Sequence, residues 1–448
     1  MASSRLDWAA VTDLRSAASA AFALSRADLE RLVRIPSVSA DPKADDHVRA
    51  SAEAVAGLAR DAGAASVQLL SVPGGAPAVV AHWPAPEGQP TVLLYAHHDV
   101  QPTGDLDDWT SPPFEPAERG GRLFGREAGV IAHITALRVF GGRPPVGVTL
   151  FVEGEEEIGS PTFLPFLEKH RDDLAADVIV VADSTNWTID TPALTTSLRG
   201  LVDCAVTVSV LDHSVHSGMF GGPVLDALTS LCRLVATLHD DNGDVAVPGL
   251  VERKADEFDY PEARFRAEAG VLDGVELAGT GSIGDRLWTK PAISVLGMDT
   301  TRTSEAANVL VHTAKAKISM RLAPGQDPDE AMAALKAHLE ANAPFGARVT
   351  VIDGARGWPC ELDTSAPAYD AARKAFTEAF GQAPVEVGLG GSIPFIAEFA
   401  EVFPSAVVLV TGVEDPDSRA HGVDESLHLG QFEKVCLAET LLLAGLGA

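Results

Sequence analysis

The stretch Val146-Gly147-Val148-Thr149-Leu150-Phe151-Val152-Glu153-Gly154-Glu155-Glu156-Glu157 decides the fold. It opens as a short apolar run and stops abruptly in carboxylates. Such a run, bounded by polar or turn residues, reads as a strand buried on both faces, as in a parallel sheet. Residues 92–95, 178–182 and 406–410 repeat the pattern, with helix-like stretches between them. His97 and Asp99 follow the run at 92–95, the acidic residues 153–157 follow the quoted one, and Asp183 follows the run at 178–182. Ligands gather at the carboxyl ends of strands in open α/β sheets, so these side chains are the first candidates for a site.

Between about Arg199 and Ala355 the patterning changes. Residues 203–210 and 314–322 alternate like half-exposed antiparallel strands, while 223–238 and 328–342 carry helical periodicity with a proline near each start. The expected fold class is therefore α/β, a mixed sheet flanked by helices, with a smaller α+β domain inserted into it. The expected boundaries are 1–198 with 356–448 for the larger domain and 199–355 for the insert.

Bulk properties narrow the function. The 448 residues are too many for one ordinary core. Hydrophobic residues make up 46% and charged residues 22%, a balance that packs into globular structure. The 34 Lys plus Arg against 63 Asp plus Glu give a net charge of −29, which repels phosphate backbones and anionic lipid. Nucleic acid and membrane are accordingly not expected partners. Cys204, Cys232, Cys360 and Cys436 lie far apart with no Cys-x-x-Cys pair, as in a reducing compartment. The Ala-rich segment 16–24 is interrupted on both sides by charge and reads as a helix, so a cytoplasmic location is expected.

Two constellations carry chemistry. In Tyr95-Ala96-His97-His98-Asp99-Val100-Gln101-Pro102 an imidazole ends a strand with a carboxylate two residues on, and such a carboxylate can fix the tautomer of a metal-binding histidine. In Glu153-Gly154-Glu155-Glu156-Glu157-Ile158-Gly159-Ser160 crowded carboxylates repel unless a cation or proton compensates. Each alone is also compatible with an ordinary loop. Together with Trp109, Pro112-Pro113-Phe114, His216-Ser217-Gly218-Met219-Phe220-Gly221-Gly222, Arg321-Leu322-Ala323-Pro324-Gly325, Gly390-Gly391-Ser392-Ile393-Pro394 and His421 ahead of Asp424-Glu425, they form an ordered set over nearly the whole chain. That set resembles the carnosinase-like dipeptidase branch of the superfamily of co-catalytic zinc metallopeptidases that also holds the aminoacylases and the succinyl-diaminopimelate desuccinylase.

The resemblance implies a zinc-peptidase-like catalytic domain and an inserted lid and dimerisation domain, hence a homodimer. It implies two Zn2+ ions, with Co2+ or Mn2+ as substitutes, one bound by His97 and Asp183 and the other by Glu157 and His421. Glu156 is then the general base that takes a proton from a metal-activated water and returns it to the leaving amine. Asp99 orients His97. His216 stabilises the oxyanion across the dimer interface, while Arg321, Asn308, Gly390, Gly391 and Ser392 hold the carboxylate and backbone of a small peptide or acyl amino acid.

One expected ligand is missing. The resemblance calls for a bridging aspartate in a Gly-Arg-Gly-x-x-Asp-Asp-Lys-Gly stretch after Gly121-Arg122-Leu123-Phe124, yet Gly125-Arg126-Glu127-Ala128 runs directly into Gly129. Two divalent ions about 4 Å apart repel by roughly 20 kcal/mol at an effective dielectric of 20, and a shared carboxylate is the main offset. Glu127 is one substitute; one metal or none are the others. Three functions stay open: hydrolysis of a dipeptide amide bond next to a free carboxylate, deacylation of N-acyl amino acids, and a non-catalytic binding or dimerising homologue.

Overall fold

The structure, a computed structural model, describes residues 8–125, 129–255, 258–391 and 394–448. In order, the strands are β1 (Ser66–Leu70), β2 (Ala78–Trp83), β3 (Thr91–His97), β4 (Ala117–Arg119), β5 (Arg122–Phe124), β6 (Gly147–Glu153), β7 (Val178–Thr185) and β8 (Ala193–Leu198). Next come β9 (Gly200–Ser209), β10 (Val215–His216), β11 (Ala292–Asp299), β12 (Val309–Leu310), β13 (Thr313–Leu322) and β14 (Arg348–Gly357). The last are β15 (Cys360–Glu361), β16 (Val385–Leu389), β17 (Val407–Glu414) and β18 (Ser426–His428). Two compact units divide the chain, one of Met1–Thr196, Leu362–Val387 and Glu398–Ala448, the other of Ser197–Glu361 and Gly388–Ala397.

The first unit is built on a mixed sheet in the order β1-β2-β6-β3-β7-β17-β8. Its four central strands, β6, β3, β7 and β17, run parallel and are the four apolar runs of the sequence. Antiparallel β1 and β2 close one side, and β8 pairs antiparallel with β17. Side chains alternate across each strand. Val92, Leu94 and Ala96 join a core shared with the helices Trp8–Val33, Asp45–Asp61, Gly129–Val139, Pro367–Phe380 and Leu429–Leu446. On the other face Tyr95 packs edge-on against Phe151, Phe163 and Phe399 with centroids 5.4–5.9 Å apart. Fully burying each such ring stabilises by about 1.5–3 kcal/mol. His97, two residues beyond Tyr95, lies on this aromatic face. A small sheet in the order β18-β5-β4 completes the unit.

The second unit has a four-stranded antiparallel sheet, β11-β13-β9-β14. The alternation in 203–210 and 314–322 is that of β9 and β13, which pair directly. Their inward residues Val202, Val206, Ile318 and Met320 pack with Leu231 and Leu234 of the helix Ala227–Ala236 and Leu335 and Leu339 of the helix Pro328–Ala341. The second helix starts with proline at its first turn, capped by Asp327. The first starts later than Pro223: Asp226 accepts from the Thr229 N–H and fixes the beginning at Ala227. Among the described residues, no helix is long and apolar enough to cross a membrane.

Candidate metal centre

Neighbouring strand ends build the centre within the first unit. The β3–β6 register sets His97 beside Glu153. The β3–β7 register sets Tyr95 beside Val181, and two residues on it sets His97 beside Asp183 on one face. His97 Nε2 lies 3.7 Å from Asp183 Oδ1. Ligand atoms of His97, Glu156 and Asp183 all fall within 4.8 Å of one another. The helix Gly129–Val139 begins against this strand end, where a Cβ on Gly129 would meet the Ala182 carbonyl at 2.7 Å, so only glycine fits.

The acidic run resolves into four carboxylates with four surroundings. Glu153 is buried and accepts from the Tyr95 hydroxyl and, at 3.1 Å, from Ser160. Glu155 accepts from the Ala76 N–H at 2.7 Å and from Thr162 Oγ1 at 2.6 Å, which is a structural role. Glu156 turns toward His97 and Asp183. Glu157 accepts from Gln101 Nε2 at 2.8 Å and lies 3.3 Å from His421 Nε2. The four carboxylates thus have different partners, which the sequence alone does not reveal.

Asp99 ties these groups together. It is fully buried; one carboxylate oxygen accepts from the Glu156 N–H at 3.2 Å and the other from the Glu157 N–H at 3.1 Å. Its backbone carbonyl holds His97 Nδ1 at 2.9 Å, with its carboxylate 3.5 Å from the same nitrogen. His421 is mostly exposed and sits on a turn where Arg419 (φ 56°), His421 (φ 62°) and Asp424 (φ 59°) adopt left-handed backbone. The His421 N–H donates to Glu425. Arg122 clamps the start of this turn, bonding both Asp415 oxygens at 3.1 and 2.8 Å and Ser426 Oγ at 2.8 Å.

Burial opposes a charge on His97, but the Asp183 and Asp99 carboxylates outweigh it and hold the imidazole well above its usual range. Burial also raises the Glu156 carboxyl to about 7, partly offset by His97 and reinforced by Asp183 and Glu157. Glu153 is pushed to about 8, chiefly by burial. Among the described residues, no hydrogen-bond donor reaches the Glu156 carboxylate. The His97 imidazole and the Asp183 carboxylate are donors that suit a divalent cation such as zinc, and the partly buried, donorless Glu156 carboxylate stands beside them.

The other expected site residues belong to the second unit. His216 is exposed, and its Nδ1 accepts from the Gly218 N–H at 3.1 Å. Asn308 is exposed; its carbonyl accepts from the Ser217 N–H, beside the β10–β12 pair that sets His216 opposite Val309. Arg321 is half-buried on β13, with no ion pair among the described residues. Arg199 donates to the Gly390 carbonyl at 3.1 Å, and a Cβ on Gly390 would stand 3.0 Å from Arg199 Nη2. Burial and then the charge of Arg321 lower the Arg199 guanidinium to about 10. Gly391 is half-buried beside Gly390. Glu127 and Ser392 lie outside the described residues. Sequence reasoning gave no role to Gln101, although it stands in the quoted His97 string.

The profile of peptidase family M20/M25/M40 matches residues 93–444. A cysteinylglycine-S-conjugate dipeptidase of Corynebacterium striatum is 35% identical over 370 residues, 80% of this chain and 81% of the relative. The human Beta-Ala-His dipeptidase is 29% identical over 77% of this chain and 72% of its own. Among solved structures, the di-peptidase Dug1p of Saccharomyces cerevisiae superposes with a TM-score of 0.81 at 22% identity, covering 98% of both chains. Human carnosine dipeptidase 1 matches with the same TM-score of 0.81 at 23% identity over 98% of each chain.

Proposed function

Because the chain belongs to peptidase family M20/M25/M40, we propose that it hydrolyses the amide bond of a dipeptide next to a free carboxylate, with Glu156 as general base. The convergence of His97, Glu156 and Asp183 at the ends of β3 and β7 carries this reading. His97 and Asp183 would hold one divalent cation and Glu157 and His421 a second, zinc being the expected metal. Bound there, such a cation lowers the pKa of water toward about 7 and polarises the scissile carbonyl.

The remaining work falls to side chains. Glu156 takes a proton from the water as its oxygen bonds the carbonyl carbon, and returns it to the amine nitrogen as the C–N bond breaks. Burial favours the protonated form of its carboxyl, which helps it hold the proton between the two transfers. Asp99 keeps His97 Nδ1 engaged, which turns Nε2 toward Asp183. Gln101 fixes the Glu157 carboxylate. Arg321, without a carboxylate partner among the described residues, suits the free carboxylate of the substrate. His216 accepts at Nδ1, so its proton resides on Nε2, where it can donate to an oxyanion.

The test is turnover of a panel of dipeptides and N-acyl amino acids, with elemental analysis, before and after chelation and with zinc, cobalt or manganese restored. Dipeptide cleavage that chelation abolishes is expected. Cleavage confined to N-acyl amino acids would replace the proposal by a deacylase. The shortened segment between Gly125 and Gly129 favours a second reading, a non-catalytic homologue, and absence of both bound metal and turnover would establish it.

A further inference from the structure

Arg199, between β8 and β9, is only 8% exposed, yet among the described residues it has no carboxylate partner. Its side chain turns instead to backbone carbonyls of two other segments of the second unit. Nε donates to Gly390 at 3.1 Å, and Nη1 stands 3.5 Å from the carbonyls of both Arg286 and Lys290. Its own N–H donates to the Leu389 carbonyl at 3.1 Å. The Arg286 carbonyl is open to it for a local reason. Asp285–Thr289 is a π-helical turn, in which the Lys290 N–H reaches back five residues to Asp285 at 2.9 Å. In an α-helix that N–H would satisfy Arg286.

The π turn also presses Trp288 onto the segment that Arg199 holds. Trp288 is nearly buried and packs against Phe258 and Tyr260 with centroids 5.5 and 6.3 Å away. A Cβ on Gly388 would meet Trp288 Cβ and Cγ at 2.6 Å, and one on Gly390 would stand 3.2 Å from the Leu287 carbonyl. Gly388–Gly390 is thus held from one side by Trp288 and from the other by Arg199. Arg321 shares this neighbourhood: it pairs with Leu201, and Arg199, two residues before Leu201, falls on the same face of the sheet.

We propose that Arg199 is a positioning residue for substrate binding, holding Gly388–Gly391 against the π turn beside Arg321 so that Gly390 and Gly391 meet the backbone and free carboxylate of the peptide. This rests on the reading of Arg321, Gly390 and Gly391 as the groups that hold the substrate. The planar guanidinium fork serves two segments at once, whereas lysine would keep the charge and lose the fork.

The experiment is steady-state hydrolysis of the dipeptide that wild type cleaves best, by zinc-supplied wild type, Arg199→Lys, Gly388→Ala and Arg321→Lys, with a thermal melt of each. Arg199→Lys and Gly388→Ala are expected to raise KM roughly tenfold with kcat within about threefold of wild type. Arg321→Lys, the reference for carboxylate binding, is expected to raise KM as well. A loss of folded protein alone would lower kcat and leave KM unchanged. That outcome for Arg199→Lys, beside a raised KM for Arg321→Lys, would overturn the proposal and leave the substrate reading standing. Should Arg199→Lys fail to fold, Gly388→Ala disturbs the same segment from the Trp288 side, and a wild-type KM there would overturn the proposal equally. An unchanged KM for Arg321→Lys would remove the carboxylate reading, and no dipeptide turnover by wild type would remove the hydrolase reading; the proposal falls with either.

Discussion

At the scale of single residues, one run of sequence puts neighbouring carboxylates into unlike work. Glu156 has the exposure and the neighbours of a base, so Glu156→Gln should lower kcat by about 10²–10⁴-fold while bound metal, measured by elemental analysis, stays near the wild-type level. Glu153, Glu156 and Glu414 all have carboxyls raised in the fold, to about 8, 7 and 8. An acid raised in this way holds its proton longer folded than unfolded. Its stabilising contribution is complete below about pH 4.5 and is lost as pH rises toward about 8. The raised His97 loses its contribution in the same direction. Chelator-treated protein should therefore melt at a lower temperature near pH 9 than near pH 6, and Glu153→Gln should flatten that profile. An unchanged slope in the variant would exclude Glu153 as a source.

At the scale of elements, the apolar runs told where the parallel strands lie, and the polar residues after them told which side chains meet at the strand ends. His97 and Asp183 were legible because each stands directly at the end of its run. The roles of Glu153 and Glu155 were hidden, since they depend on Tyr95 and Ala76, which lie far off in sequence, and on the turn that brings Thr162 back to Glu155. The Arg122–Asp415 clamp joins β5 to the turn bearing His421 and is nearly buried, with side-chain exposures of 16% and 0%. Removing one partner of such a pair leaves an uncompensated charge, so Arg122→Met should destabilise by about 3 kcal/mol in chemical denaturation and weaken metal binding through the His421 turn. Full stability in that variant would show that the clamp is dispensable.

For the molecule as a whole, the likeness to known dipeptidases covers both units; the change from buried runs to alternation near Arg199 lies close to Ser197, where the second unit starts, while Gly388–Ala397, expected in the larger domain, belongs to the second. How many protomers associate was not visible in any periodicity. The second unit offers a candidate surface: β11 is an edge strand whose Val295, Leu296 and Met298 are exposed by 41%, 61% and 37%. Open apolar edges invite pairing with another copy. Sedimentation is expected to show a dimer, and Leu296→Asp to shift it toward monomer. A wild-type monomer at micromolar concentration would reject this. Metal should also act on global stability: at about 100 times its Kd, a cation bound only by the folded state adds about 2.7 kcal/mol, read as a rise in Tm.

The left-handed turn around His421 reverses an everyday rule of protein engineering. Glycine in place of another residue ordinarily loosens a fold, yet Arg419 already occupies a conformation that costs an L-amino acid about 1–2 kcal/mol. Arg419→Gly should thus make the protein sturdier, by about 0.5–1 kcal/mol once the freer unfolded chain is subtracted. His421 sits under the same tension without that remedy, since glycine there would erase the imidazole; a thermal melt of the two variants side by side separates tolerance of the backbone from need of the ring.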